Sequence, residues 1–184
     1  MMSIILFTGV TLFFIVICFS IILAVLRLRD SIVIEIPFIS TRKRAIESVI
    51  NALSLSGKSV LYDLGCGNAE VLKTAIQKTP GTQGIGVERG YIPYALSLIN
   101  TRNLPITIHH QDIFDTDLSG ASHIYCYLSD EMMEKLSHKF LSECKKGTRI
   151  VSCDFQIPNI PLIQTISLEA KKDVLARALY IYQI

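Results

Sequence analysis

The chain has 184 residues, enough for one domain with an appendage. The formal net charge is only +2, so nothing indicates the strongly basic surface typical of proteins that bind nucleic acid. The five cysteines are too widely spaced for C-x-x-C pairs, which argues against a zinc site or a disulfide framework. The histidines lack a Cys or carboxylate partner at metal spacing. We therefore expect no bound metal and no nucleic-acid partner.

Half of the residues are hydrophobic, and the excess is concentrated in residues 4–26, which carry no charged side chain. As a helix this stretch would be roughly 34 Å long, enough for a bilayer core of about 30 Å. A signal peptide is the rival interpretation, but no basic residue precedes the stretch and no small-residue cleavage site follows it. Because the nearby basic residues all follow it, we expect a single transmembrane helix with the remaining chain on the cytoplasmic or matrix side.

A connector and a helix follow the apolar stretch. Pro37 disrupts any helix in the connector, and Ser40 or Thr41 is a candidate N-cap for a helix over residues 42–54. The basic cluster at the start of this helix has two open roles, a solvated face or contact with anionic lipid head groups. The expected domains are an anchor at 1–29, a connector with the N-terminal helix at 30–57, and a larger domain at 58–184.

Residues 59–72 have the pattern of a strand, a tight turn and a helix. An apolar run ends at Leu64, a glycine turn follows at Gly65, Cys66 and Gly67, and a helix is predicted from Asn68. Glycine lets a ligand lie on bare backbone, and the free N–H groups of a helix start attract an anionic group. This predicts a nucleotide-binding turn, although an ordinary strand–turn–helix without a ligand has the same pattern.

Two acidic residues indicate which nucleotide the turn would bind. Glu70 replaces the third glycine of a dinucleotide fingerprint, and its carboxylate would repel a pyrophosphate by about 1–4 kcal/mol at about 4 Å. Asp63 precedes the turn, where an acid suits a ligand with a cationic amine. S-adenosylmethionine (SAM) offers a carboxylate to the helix start and an ammonium to Asp63. The sequence Asp63-x-Gly65-x-Gly67 resembles motif I of the class I SAM-dependent methyltransferases.

Further strands carry further candidates for ligand contacts. Glu88 ends a second strand over residues 83–88, where an acid can accept hydrogen bonds from ribose hydroxyls or simply face solvent. A third strand over 106–109 leads to Asp112 and Ile113, which are placed to contact an adenine amine and ring. A plain turn role for Asp112 is equally open.

The rest of the chain alternates between strands and helices. The predicted elements are a helix at 91–103, a strand at 122–128, a helix from Ser129 or Asp130 to about Cys144, and strands at 148–155, 162–168 and 176–184. Five strands alternating with helices and followed by a hairpin predict a Rossmann-like α/β fold, with a seven-stranded sheet and helices on both faces. We assign no catalytic residue. Ser129 and Asp130 are candidates for the rim of the site, with helix capping as the alternative.

A longer series of motifs is similar to one group of methyltransferases. The series consists of residues 37–41 (PFIST), 63–67 (DLGCG), 111–113 (QDI), 127–128 (YL), 131–133 (EMM), 147–152 (GTRIVS) and 155–158 (FQIP). It resembles the membrane-anchored lysine methyltransferases related to the ATP synthase c-subunit methyltransferase, with their prokaryotic relatives. The resemblance implies that the methionine moiety of SAM is held by Asp63, Gly65 and Gly67, the ribose by Glu88, and the adenine by Asp112 and Ile113, with Thr41 closing over the cofactor.

The resemblance implies a protein-lysine N-methyltransferase that acts on a membrane-associated protein. One departure is Asn68-Ala69-Glu70, where such proteins usually have Asp-Gly-Arg. It keeps open a membrane-tethered SAM-binding or assembly protein without turnover. A nucleotide-dependent oxidoreductase is a further alternative, disfavoured by Glu70. No Asn/Asp-Pro-Pro-Tyr motif follows the fourth strand, which argues against an amide or adenine nitrogen as the methyl acceptor.

Overall fold

The computed structural model describes residues 2–33, 43–168 and 176–184, with side chains described in 9–25, 45–168 and 176–184. The chain divides into two compact units, residues 1–37 and 38–184. In the first unit, helix α1 spans Met2–Val33, and most of its large apolar side chains from Val10 to Val25 are exposed. The domain boundaries expected from the sequence stay predictions.

The transmembrane helix expected over residues 4–26 is not supported. Within the described residues, no helix combines the length and the apolarity that crossing a membrane requires. The expected single-pass location, with the domain on the cytoplasmic or matrix side, was therefore wrong.

The second unit contains the expected alternation of helices and strands. Its elements are α2 (Lys43–Leu53), β1 (Val60–Leu64), α3 (Glu70–Lys78), β2 (Gln83–Glu88), α4 (Tyr91–Asn100), β3 (Ile106–His110), a short 3-10 turn (Ile113–Asp115), β4 (His123–Cys126), α5 (Asp130–Glu143), β5 (Arg149–Cys153), β6 (Leu162–Ser167) and β7 (Ala178–Gln183). All the strands and helices expected after residue 42 are present. The ends differ from expectation by three residues at most, as is usual for boundaries read from a sequence.

The seven strands form one mixed sheet in the order β3-β2-β1-β4-β5-β7-β6. Strands β1 to β5 pair in parallel, and β7 lies antiparallel between β5 and β6. The strand order reverses at β1, because β2 lies on one side of it and β4 on the other. In open α/β sheets, ligands bind at such a reversal, beyond the carboxyl ends of the strands. The expected Rossmann-like sheet is confirmed.

Helices pack on both faces of this sheet. Helix α3 lies against Gly84 of β2, and Met133 of α5 lies 3.9 Å from the Sγ atom of Cys126 on β4. The register pairs Gly84 with Leu61 and Cys126 with Leu64. Since Leu61 and Leu64 are three residues apart on β1, these two contacts lie on opposite faces.

The core forms where α2 and α3 meet the central strands. Val49 and Leu53 of α2 are fully buried, as are Leu61 of β1 and Leu72 of α3. Burying an aliphatic side chain of this size contributes about 1.5–3 kcal/mol. This packing fixes the carboxyl end of β1, where the sequence places Asp63 and the glycine turn.

Candidate functional site

The glycine turn after β1 is tied to the end of β2. The backbone N–H groups of Gly65 and Cys66 both donate to the carbonyl oxygen of Val87, at 2.9 and 3.0 Å. Gly65 has φ +76° and Gly67 has φ +56°, conformations that glycine adopts without steric cost. The turn therefore has a fixed shape at the point where the strand order reverses.

Glu88 links the turn to the loop after β2. Its Oε2 atom accepts a hydrogen bond from the N–H of Gly67 at 2.9 Å, and its Oε1 atom accepts one from the N–H of Gly90 at 2.7 Å. The sequence suggested an acid at this strand end but not that it would hold the turn itself. A carboxylate has about four acceptor positions, so these two bonds leave capacity for the hydroxyls of a ribose.

Asp63 is a buried carboxyl at the carboxyl end of β1, with only 3% of its surface exposed. Burial, and secondarily the nearby Glu88 carboxylate, raise the pKa of Asp63 to about 8. No Lys or Arg among the described residues contributes to this shift. A ligand ammonium placed here would stabilise the charged carboxylate, so the chemistry of this site fits the α-ammonium of SAM.

Ala69 explains why α3 begins later than expected. It is the N-cap residue of α3 and has φ 60° and ψ 28°, in the left-handed region. Its N–H donates to the carbonyl oxygen of Cys66 at 2.8 Å, and its carbonyl accepts from Lys73 at 3.0 Å. The backbone takes this shape although alanine is disfavoured in it by about 1–2 kcal/mol. The residues Asn68-Ala69-Glu70 therefore form a compact turn despite departing from the resembled family.

The segment after β4 lies against the glycine turn. A Cβ atom added at Gly65 would be 3.0 Å from the Cδ2 atom of Leu128. Leu128 is itself buried, so this apolar side chain forms one wall beside the turn. Leu128 thus brings the segment after β4 next to the turn after β1.

Asp112 and Ile113 lie beyond β3, on the far side of β2 from the turn. The Oδ1 atom of Asp112 accepts from the N–H of Phe114 at 3.0 Å, and its Oδ2 atom accepts from Nη1 of Arg89 at 2.9 Å. Ile113 is buried. Both residues occupy the carboxyl edge of the sheet, as expected, but the ion pair with Arg89 was missed. Contact of Asp112 with an adenine amine stays a prediction.

The remaining candidates have different outcomes. Thr41 lies outside the described residues. Ser129 is the N-cap residue of α5, although its side chain makes no capping hydrogen bond, and Asp130 is the first residue of that helix. Both follow Leu128 directly, so they lie next to the turn by chain connection. Neither has a contact that assigns it a role in the site.

A contact between the ends of β4 and β5 was not predicted from the sequence. The hydroxyl of Tyr127 donates to Oδ2 of Asp154 at 2.7 Å. Tyr127 belongs to one of the motifs of the resembled family, whereas Asp154 lies between two of them. The one local signal was that an acid directly follows a buried strand. Its partner is 27 residues away, and no sequence pattern relates the two.

Comparison with known proteins now identifies the family. Residues 63–164 match the family model described as the ANTKMT methyltransferase domain. The chain belongs to this family. It is a SAM-dependent methyltransferase, and the alternative of a nucleotide-dependent oxidoreductase is wrong. The matched range begins at Asp63, so it includes the glycine turn, Glu88 and the wall residue Leu128.

Two curated relatives are each similar to about two thirds of the chain. A protein-lysine N-methyltransferase of Saccharolobus islandicus (strain REY15A) is 28% identical over 131 residues, covering 69% of this chain and 81% of the relative. The ATP synthase c-subunit lysine N-methyltransferase of Xenopus laevis is 22% identical over 130 residues, covering 67% of this chain and 55% of the relative. The match thus spans about half of the Xenopus protein.

Solved structures with low sequence identity share the fold. An RNA methyltransferase from Salinibacter ruber, in complex with S-adenosyl-L-homocysteine, has a TM-score of 0.73 and 23% identity, covering 79% of this chain and 94% of that one. The M1A22 tRNA methyltransferase of B. subtilis has a TM-score of 0.63 and 13% identity, covering 79% and 67%. At these identities the likeness establishes the methyltransferase fold alone.

Proposed function

We propose that this chain transfers methyl groups from SAM to lysine side chains of a protein. The observation that carries the proposal is the family match, together with two relatives that are each named as lysine N-methyltransferases. The geometry of the site supports it. A buried carboxyl, a glycine turn and a second carboxylate meet at the reversal of strand order.

Each candidate residue has a proposed role toward SAM. The Asp63 carboxylate faces the α-ammonium, and the backbone of Gly65, Cys66 and Gly67 meets the rest of the methionine moiety. Glu88 uses its remaining acceptor positions for the ribose. The adenine lies toward Asp112 and Ile113, and Thr41 closes over the cofactor. Asp63 supports these assignments most directly, because its buried carboxyl lies where a cation would stabilise it.

When bound, SAM supplies an electrophilic methyl group carried on a sulfonium. A lysine amine must be neutral to accept it, and removal from water lowers the pKa of an amine. Leu128 contributes to that removal because its apolar side chain lies against the turn at Gly65. Desolvation by the chain's own apolar residues thus lowers the pKa of the amine, and the lysine releases its proton to bulk water before the methyl transfer. No side chain is assigned as a dedicated base.

We also propose that the substrate is a membrane-associated protein. The support is the similarity of the motif series to membrane-anchored lysine methyltransferases. Methylation of a soluble protein is the alternative, and one experiment can distinguish the two substrates.

The test combines the purified protein, SAM labelled on the methyl group, and an extract of source cells from which the gene has been deleted. We expect label in protein, with methyl-lysine recovered after acid hydrolysis. Mass spectrometry of the membrane and soluble fractions locates the modified lysine. The Asp63→Asn variant serves as the negative control, since it removes the carboxylate proposed to hold the cofactor.

Different outcomes contradict different parts of the proposal. Label that is removed by ribonuclease, or recovered in another amino acid, would exclude lysine as the acceptor. Methyl-lysine found only in soluble proteins would leave the lysine activity in place and reject a membrane-associated substrate.

A further inference from the structure

Asp154 has an uncommon backbone conformation at the carboxyl end of β5. Its φ is 63°, in the left-handed region that residues other than glycine rarely adopt, although Asp and Asn tolerate it better than most. Its N–H donates to the carbonyl oxygen of Ala178 at 2.9 Å. A residue held in such a conformation by its neighbours often has a specific role.

The carboxylate of Asp154 accepts hydrogen bonds from two separate parts of the chain. Its Oδ2 atom accepts from the hydroxyl of Tyr127 and from the N–H of Ala176, both at 2.7 Å. Its Oδ1 atom accepts from the N–H of Arg177 and from the N–H of Ala178 at 3.2 Å. We call this group the Asp154 cluster: Asp154, Tyr127 and residues 176–178. It joins the end of β4 to the start of β7.

The cluster lies one residue away from the wall of the cofactor site. Tyr127 directly precedes Leu128, whose Cδ2 atom lies against the turn at Gly65. The ring of Tyr127 is also 6.5 Å from the ring of Phe155, at an interplanar angle of 38°. A shift of the Tyr127 hydroxyl would therefore move the segment that carries Leu128.

The chemistry of the two side chains argues against a direct role in proton transfer. Burial, and then the hydrogen bond to Asp154, raise the pKa of the Tyr127 phenol. Burial acts to raise the pKa of Asp154, but the hydrogen bonds from Tyr127 and from the amides of residues 176–178 outweigh it and lower that pKa. At neutral pH these directions keep the phenol protonated and the carboxylate charged, so we assign the pair a structural role and no proton transfer.

We propose that Asp154 is a positioning residue for the methyl acceptor. By holding the hydroxyl of Tyr127, it fixes the Tyr127–Leu128 segment as the wall along which the acceptor amine reaches the cofactor. The inference rests on the proposed function insofar as the acceptor is a lysine. The described polar contacts of Gly67 and Glu88 do not involve the cluster, and Leu128 offers the turn at Gly65 only an apolar contact. The larger effect should therefore fall on the acceptor and the smaller one on SAM.

The test uses Tyr127→Phe, Asp154→Asn and the double variant. Phe keeps the ring but lacks the hydroxyl, and Asn tolerates the left-handed backbone but replaces one acceptor oxygen by a donor. Tyr62→Phe and Asp117→Asn are the matched controls, since both residues line a separate cavity of about 230 Å³. The readouts are SAM affinity by calorimetry and the transfer rate of labelled methyl to total acceptor in the gene-deleted extract, as a function of extract concentration.

We expect each single variant to lower the transfer rate at limiting acceptor roughly ten- to hundredfold, as for loss of a hydrogen bond to a charged group. SAM affinity should stay within about twofold, and the controls should resemble the wild type. Both substitutions alter the hydrogen bond between Tyr127 and Asp154, and Asp154→Asn also alters acceptance from the amides of residues 176–178. Because the Tyr127 contact is shared, the double variant should be no more than about twofold below the worse single variant. The pH profile of Tyr127→Phe should keep the wild-type shape.

Several results would overturn the inference. One such result is that the defects of the two single variants multiply in the double variant. Another is that the pH profile of Tyr127→Phe loses one of its limbs. A third is that a variant loses SAM affinity by the same factor as it loses transfer rate. If Asp154→Asn does not fold, a wild-type rate in Tyr127→Phe is sufficient to reject it. The transfer rate is measured as total label, whatever residue receives it. If the acceptor is not lysine, the hydrolysate will show this, and the comparison between variants and wild type stays valid.

Discussion

At the level of single residues, the buried carboxyl of Asp63 connects cofactor binding to pH. Its pKa in the folded protein is about 8, against an ordinary value of 3.8. Between these values the folded state holds a proton that the unfolded state has lost, so stability falls as pH rises through this window. The slope for one proton is at most about 1.4 kcal/mol per pH unit.

The prediction for Asp63→Asn follows from this fall in stability with rising pH. The free energy of unfolding of the wild type should fall as the pH rises from 5 to 7.5. In the Asn variant this fall should be less steep, by up to about 1.4 kcal/mol per pH unit. Urea denaturation at several pH values measures both. SAM should stabilise the wild type and not the variant. Parallel pH dependences in the two proteins would show that Asp63 titrates normally.

Gly65 permits a second test at the residue scale. Gly65→Ala places a Cβ atom 3.0 Å from Leu128 and should weaken SAM binding at least about tenfold, or about 1.4 kcal/mol. Gly147→Ala is the matched control, because Gly147 also has a positive φ, +96°, but an added Cβ meets nothing within 4 Å. Both variants should lose about 1–2 kcal/mol of stability from backbone strain. Equal SAM affinities by calorimetry would contradict the assignment of the turn.

At the level of elements, the start of α3 places an alanine in a backbone conformation that alanine disfavours, and this can be tested. Ala69 is fully buried and left-handed. Ala69→Gly should relieve about 1–2 kcal/mol of backbone strain. Against this gain stand the loss of a buried methyl group, about 0.8 kcal/mol, and the greater freedom of glycine in the unfolded chain. The stability change should therefore stay within about 1 kcal/mol, and SAM binding should persist.

Ala75→Gly is the control for this prediction. Ala75 is equally buried but lies inside α3, where glycine costs about 1 kcal/mol and the lost methyl about 0.8 kcal/mol. We expect a loss of roughly 2 kcal/mol in urea denaturation. Equal losses in the two variants would show that the left-handed conformation of Ala69 carries no strain.

At the level of the whole molecule, the two compact units suggest a simple experiment. Every described residue of the candidate site lies within residues 38–184, as do all members of the main hydrophobic core. A shortened chain of residues 38–184 should therefore fold and bind SAM within about twofold of the full chain. Calorimetry on both proteins measures this. A shortened chain that unfolds cooperatively but binds SAM more than about tenfold more weakly would show that residues 1–37 contribute to the site.

Much of the fold follows from local patterns in the sequence. The apolar run ending at Leu64, the glycine turn after it and the helical spacing of Val71, Leu72 and Ala75 are local features, and local backbone preferences determine them. The right-handed crossover rule then sets the hand of each connection between parallel strands, whereas the order of the strands came from the structure. The place of Asp63 beside the turn is equally local, since the two are adjacent in the chain.

The long-range contacts of the site were decided only by the tertiary structure. Glu88 reaches the N–H of Gly67, Leu128 packs against Gly65, and the Asp154 carboxylate holds Tyr127 together with the amides of residues 176–178. Each contact joins segments that meet because neighbouring strands end, or in the case of β7 begin, at the same edge of the sheet. The sequence determined which residue types stand at those strand ends. Which of them touch depends on register and packing, for which a single sequence carries no local signal.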